Sequence, residues 1–215
     1  MRWPYLHAHG RATVLLATIL AAMLAAAPGH AAVIEDKDWP CQQRKVPVIS
    51  PGQVWTGPSL DAVGDSWQAD ETIADLARKI AARRTDLDEA KSAIAAFAAK
   101  AGPDKSRKLT ALAAGVLAVI NSDRASIIAG IGRYAKRQRD LAAKIERETA
   151  ELDALPQNGT PEQMARRNDL LEMQTWDTRI LQERERSLTY VCELPVQLEQ
   201  RAFALGREIQ SHLDP

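Results

Sequence analysis

The amino-acid sequence predicts an all-α protein of three long helices, forming an elongated bundle or a coiled-coil hairpin, with an extended Trp/Pro-rich N-terminal arm. Three observations support this prediction. Apolar residues recur at helical spacing from residue 70 onwards, alanine is abundant, and aromatic residues make up only 5% of the 215 residues. Small side chains and few aromatic rings suit closely packed helices better than a β-sandwich.

The first segment, residues 1–31, has the features of a secretory signal peptide. Arg2 and Arg11 accompany an apolar run that ends in small residues, with cleavage expected after Ala31. This run is shorter than the roughly 20 apolar residues that span a bilayer, so we expect cleavage; a retained anchor is the alternative. The expected mature chain is periplasmic and has no integral membrane span.

Residues 32–69 are rich in proline and tryptophan, and we expect them to form an extended arm. Four prolines and three glycines exclude a long helix here. Trp39, Trp55 and Trp67 all lie in this arm. They either cover the helices by packing or form a clip for a partner or ligand, and we keep both interpretations.

The helical region, residues 70–215, begins with two predicted helices. Asp70 can cap the first helix, which extends to about Ala101, where Gly102 and a following proline end it. The second helix covers about residues 105–155. Its length, without an interior proline, favours a coiled-coil hairpin.

The third helix begins at a strong start signal, because Thr160 and Gln163 form a capping box around a proline. Pro195 lies inside its pattern and is expected to kink or break it. Polar residues also occupy positions of its apolar seam, which would fit a dimer or a protein partner. These seam positions are Gln174, Thr178 and Glu185.

The two cysteines, Cys41 and Cys192, are predicted to form one disulfide in an oxidising compartment. This bond would join the arm to the third helix just before Pro195. A redox or metal-binding pair is the alternative, although the sequence has no CxxC motif and no histidine beside either cysteine.

The sequence offers few groups for common active-site chemistry. After removal of the signal peptide, His212 is the one remaining histidine, and no HExxH or Glu-x-x-His motif occurs. Gly130 and Gly132 lie inside a predicted helix and do not form a phosphate-loop motif. They indicate close helix packing or a bend. We predict no catalytic residues, no metal and no cofactor; a two-carboxylate glycosidase stays open at sequence level.

The charge of the mature chain is close to neutral. Loss of two arginines leaves 26 basic and 28 acidic residues, so no overall positive field favours nucleic acid. A basic cluster around Arg133 and Arg137 is either a solvated helix face or an anionic-ligand site. These two arginines and the three arm tryptophans are the candidate binding residues.

The arm carries one resemblance to known proteins. DWPCQQRKV over residues 38–46 and VWTGP over 54–58 resemble the head of a group of uncharacterised exported proteins of proteobacteria. The resemblance implies a periplasmic location, and it implies no activity, cofactor or catalytic residue. The helical remainder resembles only generic coiled coils.

These features predict an exported, non-enzymatic interaction or scaffold protein of the cell envelope. It would present a rigid helical surface to an envelope protein partner or to a second copy of itself. The alternative is a binding module that holds an amphipathic or anionic small ligand, a lipid or a glycan, between helices near Gly130 and Gly132.

Overall fold

The computed structural model of this chain describes residue 36 and residues 39–214. The predicted signal peptide, residues 1–31, lies outside the described residues. The chain divides into two units, residues 1–35 and 36–215, and all elements named below belong to the second unit. All regular secondary structure within the described part of the chain is helical, as the sequence predicts.

Five α-helices follow one another along the described chain. They are α1 (Pro51–Val54), α2 (Glu71–Ala81), α3 (Leu87–Lys100), α4 (Lys105–Ala154) and α5 (Pro161–Ser211). Two short 3₁₀ turns, Ser66–Ala69 and Gly102–Asp104, precede α2 and α4. The helices α4 and α5 contain 50 and 51 residues. At a rise of 1.5 Å per residue, each is roughly 75 Å long.

The single first helix predicted over residues 70–101 is wrong, because α2 and α3 are separate helices. The Asp86 carboxylate caps α3 by accepting hydrogen bonds from the backbone N–H groups two and three residues further on, at 2.8 and 3.4 Å. The Thr85 hydroxyl donates to a carbonyl in the last turn of α2 at 2.7 Å. The described chain therefore has two long helices rather than three.

A side chain from α5 holds this break in place. Arg201 donates through Nε and Nη2 to the Ile80 carbonyl at 2.9 and 2.6 Å, and through Nη2 to the Thr85 carbonyl at 2.8 Å. These bonds satisfy a carbonyl at the end of α2 and a second carbonyl in the loop before α3. Burial lowers the pKa of Arg201, whose guanidinium still stays charged at any ordinary pH.

The main hydrophobic core lies at one end of the two long helices. It uses α4 up to Ile120 and α5 from Leu198 onwards, together with apolar residues of α1, α2 and α3. We call this part of the second unit the head, residues 39–129 and 191–214. Residues 130–190 continue α4 and α5 away from this core, and we call them the helix pair.

Two of the three arm tryptophans belong to this core. Trp55 and Trp67 are each 6% exposed, and the Trp55 indole donates to the Pro58 carbonyl at 2.7 Å. Trp67 packs against Gly115 of α4, where an added Cβ would lie 2.8 Å from the indole ring. Their burial favours the packing interpretation over the clip, because neither ring is accessible to a partner.

Of the kink or break expected at Pro195, the break does not occur, since α5 continues through this residue. A proline inside a helix lacks the N–H that would bond to the carbonyl four residues earlier. For Pro195 this carbonyl belongs to Val191, and side chains of other segments donate to two neighbouring carbonyls. Arg124 donates to the Pro195 carbonyl and Gln43 donates to the Cys192 carbonyl, so neighbouring side chains hydrogen-bond the helix backbone around the proline.

Gly206 of α5 allows α1 to approach the helix closely. A Cβ at this position would overlap the backbone oxygen of Val54, which cannot swing aside like a side chain. We expect Gly206→Ala to lower the free energy of unfolding by about 2 kcal/mol through overpacking. Urea denaturation would measure the change.

The matched control is Gly130→Ala, also inside a long helix. A Cβ there would meet only the Arg133 guanidinium at 3.8 Å, so helix propensity should raise the free energy of unfolding by up to about 1 kcal/mol. Equal effects of the two substitutions would contradict the close approach of α1 to α5.

Candidate functional site

The predicted pairing of the two cysteines has bonding geometry in the structure. The Sγ atoms of Cys41 and Cys192 lie 2.02 Å apart and their Cα atoms 5.5 Å apart. Together with Ile131 they form a small second core cluster, against which Trp39 packs. The Trp39 indole donates to the Gln43 carbonyl at 2.6 Å. Residues 39–43 are thus attached to both long helices where the head meets the helix pair.

An open groove of about 610 Å³ lies beside this disulfide, between the arm and α5. Its polar lining consists mainly of amides and two carboxylates, and it contains no basic side chain. The charged and amide-bearing residues of this lining are Gln42, Gln43, Glu185, Glu193, Gln197 and Gln200. This charge disfavours an anionic ligand in the groove.

The structure places Arg133 and Arg137 on the solvent-exposed surface of α4. The close packing expected at Gly130 is absent, since open space surrounds this glycine apart from the Arg133 side chain. Gly130 itself therefore does not mark a tightly packed site between the helices.

The fold brings two basic clusters of the sequence side by side. The Tyr134 hydroxyl donates to the Arg184 carbonyl at 2.6 Å, and the Gln138 amide donates to the Leu181 carbonyl at 3.5 Å. Residues 130–140 of α4 therefore lie against residues 179–190 of α5. Together these two segments contain seven basic and three acidic side chains.

One side of the helix pair continues the side of the head that α2 and α3 cover. In α4, Arg133 follows Gly115 by eighteen residues, which is five helical turns, and an added Cβ at Gly115 would lie 3.1 Å from Ala77 of α2. In α5, Ile180 precedes Leu198 by the same eighteen residues, and Leu198 is buried in the main core. Both long helices therefore turn this side towards solvent once they leave the head.

We call this side the open face, defined by Arg133, Arg137 and Lys144 of α4 and by Trp176, Ile180 and Tyr190 of α5. Trp176 is 57% exposed and Ile180 is 36% exposed. Lys144 and Trp176 line one shallow depression of about 460 Å³, together with Asp169 and Glu172. The Arg179 guanidinium lies over the Trp176 ring, 6.0 Å from its centroid.

The interior of the helix pair is polar compared with the head. Glu148 is 8% exposed, and its Oε2 atom has no hydrogen-bond partner within the described residues. Lys144 bridges Glu148 and Asp177 at 3.3 and 2.5 Å, and these bonds raise the pKa of Lys144. Gln174, one of the polar seam residues, donates to the Thr149 hydroxyl at 2.6 Å. Such an interior provides less apolar burial than the head core does.

An ion pair closes the far end of the helix pair. Arg166 donates to both carboxylate oxygens of Glu151 at 2.7 and 2.8 Å. This bidentate bond holds the pKa of the Glu151 carboxyl below its usual value. The ion pair is therefore complete when the pH is above the usual pKa, and it is lost as the pH falls through the lowered pKa. It fixes the turn between α4 and α5 at neutral pH.

Helix α4, with the turn before it, is long and apolar enough to cross a membrane by length and composition alone. Its most apolar stretch has a mean hydropathy of 1.4, and 56% of that stretch is buried inside the protein. Apolar residues of α4 from Leu109 to Ile120 belong to the main core of the head. A mostly buried core helix meets the same criteria of length and composition.

Within residue 36 and residues 39–214, no group of three His, Cys, Asp or Glu side chains is placed to hold a metal ion. No protein-family model, curated protein or solved structure matches the chain. The function is therefore argued from the geometry of the open face and of the groove.

Proposed function

We propose that this chain is an exported, non-enzymatic interaction protein of the cell envelope. In this proposal the helix pair is a coiled-coil hairpin, and its open face binds a protein partner through helix packing. The observation that carries the proposal is the exposure of Trp176 and Ile180 on the side that other helices cover in the head. Large apolar side chains grouped on one solvent-exposed face are typical of protein interaction surfaces.

A helical partner fits this face better than an irregular segment does. The head already packs α2 and α3 against the same side of α4 and α5, five turns away along each helix. A partner helix in the equivalent position would extend that packing along the helix pair. It would add apolar burial to an element whose own interior is polar.

Export and a periplasmic location are part of this proposal. Support comes from the charged and apolar pattern of residues 1–31, from the resemblance of residues 38–46 and 54–58 to exported proteins, and from the Cys41–Cys192 disulfide. Disulfides persist in the periplasm and are rare in the cytosol.

The test is a photo-crosslinking residue at position 176 in protein expressed in its native periplasm. We expect it to crosslink one defined protein chain, and Ile180→Ala is expected to weaken that complex. Alanine at both Trp176 and Ile180 should reduce the affinity of the isolated complex by about 30-fold or more, as expected for a buried aromatic hot spot.

Phe203 provides the matched control, because it is also an exposed aromatic residue of α5 with an arginine over its ring. The Arg207 guanidinium lies 5.5 Å from the Phe203 centroid, on the head rather than the helix pair. A crosslinker at position 203 should capture no partner, and Phe203→Ala should leave the complex intact. Equal behaviour of positions 176 and 203 would contradict the proposal.

A small-ligand module is the second candidate function, and the groove beside the disulfide is the observation that favours it. A volume of about 610 Å³ with amide and carboxylate lining suits a neutral, hydroxyl-rich ligand such as a glycan better than an anionic lipid. Native mass spectrometry of protein purified from its own periplasm distinguishes the two functions, since a co-purified glycan would favour this candidate.

A further inference from the structure

The charges of the helix pair are divided along its length. The half beside the head, residues 130–140 and 179–190, has seven basic and three acidic side chains, and we call it the root. The outer half, residues 141–178, has four basic and eight acidic side chains, and we call it the tip. Root and tip therefore carry formal charges of +4 and −4, which cancel in the overall composition.

This division makes the helix pair complementary to itself. Two copies that lie side by side in opposite directions bring each root against the tip of the other copy. A two-fold axis between them would then create two identical root–tip contacts, as a closed symmetric dimer requires. A parallel arrangement would instead place root against root and tip against tip, which like charges oppose.

We propose that the partner of the open face is a second copy of this chain, in an antiparallel dimer of helix pairs with each root against the other's tip. This inference rests on the proposed function of the open face and adds the identity of the occupant. The two-fold axis passes near Trp176 and Ile180, which lie beside the boundary between root and tip.

The positions of individual charges fit this arrangement. On the root side, Arg133 lies about 11 Å from the root–tip boundary at 1.5 Å per residue, and on the tip side Glu172 lies about 10 Å from it. Along the helix direction, the axis therefore brings Arg133 on α4 of one copy to the same height as Glu172 on α5 of the other. Arg133, Arg137 and Glu172 are exposed and form no ion pair among the described residues, so they are available to a second copy.

The size of the open face matches what a stable dimer needs. The helix pair extends about 40 Å beyond the head, and two helices side by side are about 20 Å wide, which gives roughly 800 Å² per copy. Specific interfaces of standard size bury about this area on each partner. Exposed apolar side chains lie at the centre of the face and charges lie around them, as in other protein interfaces.

The experiment measures the molar mass of the mature protein by light scattering and its dissociation constant by sedimentation. We expect the wild type to be a dimer whose self-association weakens as salt screens the root–tip contacts. A root variant, Arg133→Glu with Arg137→Glu, and a tip variant, Asp169→Lys with Glu172→Lys, should each weaken self-association at least about 30-fold.

Mixing these two variants is the decisive step. In the mixed dimer one contact joins two reversed segments and the other joins two unchanged segments, so both contacts are again attractive. Equimolar root and tip variants should therefore form a heterodimer with an affinity close to that of the wild type. Circular dichroism of each variant shows whether the helices are retained.

Lys136→Glu with Arg147→Glu is the control. It also reverses two exposed charges of α4, but on the side turned away from α5, and it should leave the dimer in place. A dimer that withstands both variants, or a mixture that stays monomeric, would overturn the antiparallel arrangement.

The outcomes also separate this inference from the proposed function. A monomeric wild type whose position 176 crosslinks a different protein would overturn the dimer and leave the proposed interaction function standing. A monomeric wild type without any crosslink would overturn both. Capture of its own chain at position 176, lost in the root variant and recovered in the mixture, would support both.

Discussion

Reduction of the Cys41–Cys192 disulfide is expected to lower the free energy of unfolding by about 4–5 kcal/mol. The bond joins residues 151 positions apart, so it closes a loop that contains most of the described chain. A crosslink over such a loop restricts the unfolded chain strongly, and the entropy model gives a value at the upper end of the usual range. Urea denaturation with and without a reductant measures the difference.

The double variant Cys41→Ser with Cys192→Ser is the control for this experiment. The chain has two cysteines in total, so the reduced wild type and the double variant should unfold at the same urea concentration. An oxidised protein that unfolds together with the double variant would show that the bond does not restrict the unfolded chain as described.

Replacement of Arg124 by alanine is expected to lower the free energy of unfolding by about 3–4 kcal/mol. Arg124 is 3% exposed, and its Nε donates to the Val46 carbonyl at 2.9 Å. Its Nη1 also donates to the Pro195 carbonyl, and Glu199 lies 3.7 Å from its Nη2. The substitution leaves carbonyls without a donor and opens a cavity between the arm, α4 and α5.

An exposed residue of the same type and helix, Arg147, provides the comparison, because it lies outside the proposed dimer contact. Arg147→Ala should change the free energy of unfolding by less than about 0.5 kcal/mol, because it removes no buried contact. The effect of Arg124→Lys should fall between the two. The single nitrogen of a lysine cannot occupy the positions of all three guanidinium nitrogens, so it cannot make all of their contacts. Thermal unfolding followed by circular dichroism ranks the three variants.

The extent of the helices could be predicted from the sequence where their ends carry a local signal. The capping box at Thr160 and Gln163 and the stop at Gly102 both lie at helix boundaries of the structure. The break before α3 was missed because apolar residues continue to recur at helical spacing across it. From Ile80 onwards they lie seven positions apart, which is close to two helical turns. The sequence did carry a local signal for the start of α3, because Asp86 stands three residues before a glutamate, as an N-cap residue often does.

Other features depend on contacts between distant residues. Arg201 fixes the end of α2 from a position 121 residues away from Ile80, which no local pattern records. Around Pro195, α5 likewise receives hydrogen bonds from distant side chains, from Arg124 to the Pro195 carbonyl and from Gln43 to the Cys192 carbonyl. Proline lowers helix propensity locally, but it does not specify which other segments will pack against the helix around it.

The candidate site was predictable only in part. The pairing of Cys41 with Cys192 was predictable from two cysteines and an expected oxidising compartment, and their sulfur atoms lie at bonding distance. Trp176 was missed, although it lies off the leucine seam of its helix, which was an available signal of exposure. The basic root could not be predicted, because it requires residues 130–140 and 179–190 to lie side by side.

The covalent link at Cys41 and Cys192 has a consequence for proteolysis at the α4–α5 turn. This turn, residues 155–160, is exposed at most positions and lies at the end of the helix pair that is far from the disulfide. A protease that cuts there separates the two cysteines onto different fragments. The nicked protein would still migrate as one species on a non-reducing gel, and its two pieces would separate only after thiol treatment.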